Sequence, residues 1–97
     1  MASQYNVAVL GATGLVGQHL IEILEQRDFP VAQLFPLASS RSAGGTVTFK
    51  GKKLTVLDAE TFDWSQAQIG LFSAGGSVSA IYAPKAAEAG CVVIDNT

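Results

Sequence analysis

The stretch VAVLGATGLVGQHL, residues 7–20, decides how this chain folds. A run of small apolar residues ends at Leu10 and meets three glycines spaced by three, Gly11, Gly14 and Gly17, just where an amphipathic pattern begins. A loop that only turned the chain would need one glycine, so three imply close approach to the backbone. Tyr5 to Leu10, rich in valine and mostly apolar, reads as a strand covered on both faces. A helix is expected from Gly14 to Gln26, with Val16, Leu20, Ile23 and Leu24 as its buried stripe and Gln18, Glu22 and Glu25 off it.

Downstream, Pro30 and Pro36 stop that helix, and Phe35 to Ala38 suits a second strand with its proline at the entrance or on an edge. The segment TVTFKGKKLTVLD, residues 46–58, alternates about a polar turn at Lys50 to Lys53 and reads as a β-hairpin. Phe62 and Trp64 are expected to cover the sheet edge. Ile69 to Ser73 is a further short buried strand, and it too ends in glycines, Gly75 and Gly76. Ser77 is expected to cap a helix running to about Ala89, kinked or restarted at Pro84 and closed by Gly90, before a last strand from Cys91 to Asp95.

Strands alternating with helices predict an α/β domain over residues 1–97: a Rossmann-like, doubly wound, mainly parallel sheet with an inserted β-hairpin, incomplete at its C-terminus. Composition agrees, because 48% hydrophobic residues exceed what a disordered segment carries. A net charge of -2, with both signs scattered, builds no field that favours nucleic acid or an anionic membrane, and Lys50, Lys52 and Lys53 read as a solvated hairpin. The apolar runs fall far short of the ~20 residues that span a bilayer, and no secretory signal pattern precedes them. A cytoplasmic protein is expected on those grounds, and the single cysteine, Cys91, which cannot form an internal disulfide, fits a reducing compartment.

In open α/β sheets ligands bind beyond the carboxyl ends of the strands, and three such ends carry unusual residues here: GATGLVG, SSRSAG and SAGG. Gly11 permits a tight turn, Gly14 removes a side chain where a pyrophosphate meets backbone N–H groups, and Gly17 allows close helix–strand packing. The helix start adds donors and partial positive charge. An NAD-binding fold usually carries an acidic residue at the end of the second strand; this chain instead runs into Ser39, Ser40, Arg41 and Ser42, which suit the 2′-phosphate of NADP. Ser73, Ala74, Gly75 and Gly76 are expected beside the cofactor, with Asn96 and Thr97 approaching the nicotinamide side. Cys91, at the far end of the sheet, reads as a buried small hydrophobe, and His19 as a surface residue without a catalytic or metal partner. No catalytic residue and no metal site is expected within the chain.

Taken in order, GATGLVG, LASSRSAGG, LFSAGGSVSAIYAPKAAEAG and VVIDNT resemble the N-terminal, cofactor-binding part of bacterial aspartate-semialdehyde dehydrogenase over nearly the whole chain. The resemblance implies NADP contacts at Thr13, Gly14, Leu15, Val16, Arg41 and Ser42, extended to Ser39, Ser73 and Gly75. It also implies NADPH-dependent conversion of 4-aspartyl phosphate to L-aspartate 4-semialdehyde in lysine, threonine, methionine and diaminopimelate synthesis, by a homodimer. In that family a cysteine thiolate attacks the acyl carbon, hydride passes to or from the nicotinamide and a histidine moves protons, all on residues beyond this segment. A stand-alone NADP-binding regulatory module is the alternative. A short-chain-reductase relative would need a lysine four residues after a tyrosine, whereas Tyr82 and Lys85 are three apart.

Overall fold

The structure, a computed structural model, describes residues 4–95. The chain runs β1 (Tyr5–Leu10), α1 (Leu15–Gln26), β2 (Val31–Ala38), β3 (Thr46–Phe49), β4 (Lys52–Thr55), β5 (Leu57–Asp58), β6 (Ile69–Phe72), α2 (Gly76–Glu88) and β7 (Val92–Asp95), with a single 3-10 turn at Trp64–Gln66 before β6. Five strands form one parallel sheet in the order β5-β2-β1-β6-β7, and β3 and β4 pair separately and antiparallel. The expected doubly wound sheet with its inserted hairpin is therefore present.

Alternation along β1 divides the core. Val7 and Val9 face Ile21 and Leu24 of α1, whereas Ala8 and Leu10 face the cluster that holds Phe72, Trp64 and Ala86 of α2. The two helices lie on opposite faces because the crossovers run in opposite directions from the β1/β6 pair, each right-handed. Phe72, fully buried, contributes on the order of 3 kcal/mol through the apolar surface it removes from water.

Several local expectations are corrected. The buried stripe of α1 is Gly17, Ile21 and Leu24, and Val16 is 49% exposed. The helix seats on Gly17, and Val16, one position and about 100° away, is turned outward. β2 begins at Val31 rather than Phe35, pairing Tyr5 with Val31. Pro36 fits inside it because Leu37 turns its carbonyl toward β1, to Gly11 N–H at 2.9 Å, so its neighbour Pro36 faces the outer side, where β5 reaches only Leu37 and Ala38. The hairpin turn is two residues, Lys50 and Gly51, with φ of 51° and 78°, so Lys52 and Lys53 already belong to β4. Leu57 and Asp58 leave the hairpin and join the main sheet.

Phe62 and Trp64 do not cover an edge. They join Phe35, Phe72 and Tyr82 in an aromatic cluster under α2, with ring centroids 5.1–6.3 Å apart. α2 starts at Gly76, on an N-cap Gly75 that offers no side chain, so Ser77 is not a cap; the helix runs through Pro84 without restarting. β7 is covered on one face only, leaving Val92 61% and Ile94 52% exposed.

Candidate functional site

Strand order reverses between β1 and β6, and in such sheets the crevice lies outside the carboxyl ends of those strands. A cleft of about 260 Å³ opens there, lined by Gly11, Thr13 and Gly14 after β1, Ala38, Ser39 and Ser42 at the end of β2, and Ser73, Ala74 and Val78 after β6. Residues from the three loops singled out in the sequence thus meet in one place.

The glycines of the first loop have three separate reasons to be there. Gly11 has φ +87°, and a Cβ on it would stand 3.0 Å from the backbone of Ser73 and Ala74, so the β1 and β6 loops touch only because it lacks a side chain. A Cβ on Gly17 would stand 2.0 Å from the Gly11 carbonyl oxygen, which fixes the helix against the turn. Gly14 differs from both. Its φ of -78° is open to any residue, and a Cβ there would meet only the Gly11 oxygen at an ordinary 3.5 Å. Neither conformation nor packing demands a glycine, and its bare face lines the cleft.

Gly14 is also the N-cap of α1. It carries no capping side chain, and no acidic residue stands in the first turn. The first helical bond runs from Gln18 N–H to the Gly14 carbonyl at 2.9 Å, so the N–H groups of Leu15, Val16 and Gly17 lie ahead of the helical ladder, as donors for an anion. Leu15, the first residue of the helix, is 88% exposed at this end. α2 begins in the same manner, uncapped at Gly75, with its first bond from Ser79 N–H to the Gly75 carbonyl at 3.0 Å.

The serines divide by what they can still donate. Ser73 Oγ donates to the Leu10 carbonyl at 3.0 Å and Ser40 Oγ to Asp58 Oδ2 at 2.8 Å, so both hydroxyl protons are committed. Ser39 and Ser42 line the cleft, and Ser42 N–H closes the turn on the Ser39 carbonyl at 2.9 Å. Arg41 stands exposed between them and makes no ion pair among the described residues.

Of the eleven positions expected at the site, six line the cleft: Gly11, Thr13, Gly14, Ser39, Ser42 and Ser73. Leu15, Val16, Arg41 and Gly75 lie on the surrounding loops and helix ends, and Gly17 is buried beneath the turn. Ala38 and Val78 were missed. Val78 carries no polar signal, and only its place in the first turn of α2, three residues past Gly75, indicates it. Asn96 and Thr97 fall outside the described residues. A hollow of about 380 Å³ between α1 and the hairpin shares only Thr13 with the cleft, and the carboxylate of Glu22 on its wall is unsuited to a phosphate.

Cys91 is 5% exposed, at the opposite end of the sheet from the cleft, and burial pushes its thiol pKa up, the reverse of what a nucleophile needs. His19 lies on the surface, 3.9 Å from Glu22. Tyr82 packs against Trp64, and its pKa is raised by desolvation first and then by Glu60 and Asp58, which disfavours a proton-donor role of the reductase kind. No cluster of metal-ligating side chains occurs among the described residues.

A doubly wound sheet with a glycine turn at its switch point and uncapped helix starts facing the crevice defines a dinucleotide-binding domain. Residues 6–97 match the family model of the semialdehyde dehydrogenase NAD-binding domain, and the chain belongs to that family. Aspartate-semialdehyde dehydrogenase of Shewanella violacea is 71% identical over all 97 residues, which span 29% of its length. Aspartate semialdehyde dehydrogenase II of Vibrio cholerae, solved in complex with ASA, superposes with a TM-score of 0.95 at 60% identity, covering 98% of this chain and 32% of its own. The Candida albicans aspartate semialdehyde dehydrogenase, solved with NADP, gives 0.76 at 27% identity over 98% of this chain and 30% of its own. The chain thus spans about a third of the length of these relatives and corresponds to their NAD(P)-binding N-terminal part, which disfavours the regulatory-module reading.

Proposed function

We propose that this chain is the NADP-binding portion of an aspartate-semialdehyde dehydrogenase, which carries out NADPH-dependent reductive dephosphorylation of 4-aspartyl phosphate to L-aspartate 4-semialdehyde, on the route to lysine, threonine and methionine. The observation that carries the reading is Gly14, a glycine required by neither conformation nor packing, bare toward the cleft and at an uncapped helix start. In this reading residues 1–97 form one cofactor domain. Gly11, Thr13, Gly14, Leu15, Val16 and Gly17 build the pyrophosphate turn, Ser39, Arg41 and Ser42 take the 2′-phosphate, and Ser73 and Gly75 border the cofactor from the β6 side.

The choice of NADP over NAD rests on Arg41 and on the absence of a carboxylate at the end of β2, and it is supported by the relative solved with NADP. When bound, the nicotinamide supplies hydride to the acyl carbon. The residues of this chain bind and orient the cofactor; none of them serves as nucleophile or proton carrier. No helix among the described residues is long and apolar enough to cross a membrane. We place the enzyme in the cytoplasm, as a homodimer with small-molecule ligands and neither nucleic-acid nor membrane partners.

The test titrates NADPH and NADH against the native polypeptide at its full cellular length, with and without Arg41→Ala. Loss of a charge-assisted pair should weaken NADPH about ten- to a hundredfold and leave NADH unchanged. No preference in the parent, or an equal effect on both cofactors, would overturn the assignment of the second loop.

A further inference from the structure

The turn after β2 does not stand alone. It is fastened to the neighbouring segment at several points: Gly44 N–H donates to the Val56 carbonyl at 2.9 Å, Val56 N–H to the Gly45 carbonyl at 2.8 Å, and Ala59 N–H to the Ala38 carbonyl at 2.9 Å. One side-chain bond completes the set. Ser40 Oγ donates to Asp58 Oδ2 at 2.8 Å, while Asp58 Oδ1 accepts from Glu60 N–H at 2.9 Å, so the carboxylate is held from both sides.

We infer that Asp58, at the end of β5, is a positioning residue for cofactor choice, holding the turn that carries Ser39, Arg41 and Ser42 through its bond to Ser40. The inference rests on the assignment of that turn to the 2′-phosphate.

A carboxylate near an adenosine ribose normally accepts its hydroxyls and repels a 2′-phosphate. Here a carboxylate stands one strand further out, and its Oδ2 is engaged by a protein hydroxyl rather than left open to the ribose. The same bond restrains Ser40, the residue adjacent to Arg41, so the guanidinium is presented from a fixed turn and loses less freedom on binding. Backbone ties alone hold the ends of the turn; Ser40 is the side-chain anchor within it.

The experiment measures NADPH and NADH affinities of the native full-length polypeptide for Asp58→Ala, Asp58→Asn, Ser40→Ala and Ser40→Ala/Asp58→Ala, beside Arg41→Ala. Asp58→Ala should weaken NADPH about fivefold, the worth of one modest hydrogen bond, with NADH changed by less than about twofold. Asp58→Asn should retain the parent preference or strengthen it slightly, because its amide keeps a partner for both Ser40 and Glu60 N–H while a negative charge near the 2′-phosphate is removed. Ser40→Ala, which removes one exposed hydroxyl and leaves folding intact, should reproduce the loss, and the double variant should be no worse than Asp58→Ala. If Arg41→Ala abolishes the preference while the Asp58 and Ser40 variants leave it untouched, or weaken both cofactors equally, the positioning role is wrong and the loop assignment stands. If Arg41→Ala itself has no effect, both fall together.

Discussion

The two ends of the parallel sheet are built from the same strands and finished in opposite ways. At the amino end the backbone groups are closed off by long-range bonds: Asn6 N–H to Gln68 Oε1 at 2.8 Å, Asn6 Nδ2 to the Gln66 carbonyl at 3.1 Å, Gln68 N–H to the Asn6 carbonyl at 2.8 Å and Val92 N–H to the Gln68 carbonyl at 2.8 Å. At the carboxyl end the strands run into glycines and small hydroxyl residues, and two helices start without side-chain caps. One end spends its polar groups on the fold. The other keeps donors unspent, which is the condition for holding an anion.

This contrast can be broken by substitution. The largest effect is expected at Gly17, where a new Cβ would be forced to 2.0 Å from the Gly11 oxygen. Gly17→Ala should destabilise by roughly 3 kcal/mol or more, because backbone rather than a pliable side chain must move, and it should cost cofactor binding as well. Urea denaturation of the full-length variant measures it, and an unchanged midpoint would show that the helix is not seated on the turn. Asn6→Ala should cost about 0.5–1.5 kcal/mol of stability by removing the side-chain bond from β1 to the segment before β6, with cofactor affinity unaltered.

Gly14→Ala probes the carboxyl end. Replacing an N-cap glycine that has room for a methyl group should move stability by only about 0.5 kcal/mol, yet weaken cofactor binding about tenfold or more. Equal losses in stability and affinity would make Gly14 a packing residue like Gly17. The smallest effect concerns Cys91. Its thiol, raised by burial, should react with iodoacetamide far more slowly in the native state than in denaturant at the same pH. A folded pKa above the unfolded one means the thiol favours the folded state below the unfolded value of about 8.5, and this contribution is lost as pH rises through the folded value. Rapid native labelling would refute the buried assignment.

Much of this architecture was legible because it is written in local patterns. The valine-rich β1, the glycine spacing and the repetition of strand, glycine turn and helix at Ile69–Glu88 foretold a parallel sheet with a crevice at its carboxyl end. The serine- and arginine-bearing turn was equally visible, since residues 39–42 stand where a carboxylate is the usual choice. What escaped was set by neighbours distant in sequence. The inward face of α1 depends on where Gly17 meets Gly11, so the hydrophobic pattern alone assigned Val16 inward. The polar segment around Trp64 points to a place at the sheet edge, yet Phe72 and Tyr82 draw the ring into the core. Leu57 and Asp58 continue the alternation of the hairpin, and only competition for the outer edge of β2 transfers them to the main sheet.

The same division holds at the site. Residue types and spacing determined that a phosphate-bearing dinucleotide is the ligand to expect, because glycine at a helix start and arginine in a turn are chemical choices made one residue at a time. Which glycine serves packing and which is left open, which serine hydroxyls remain free to donate, and that Asp58 holds Ser40 were decided by the tertiary structure alone. Those properties belong to pairs of residues brought together across 6 to 63 positions of sequence, from Gly17 on Gly11 to Ser73 on Leu10. No local pattern records who a neighbour will be.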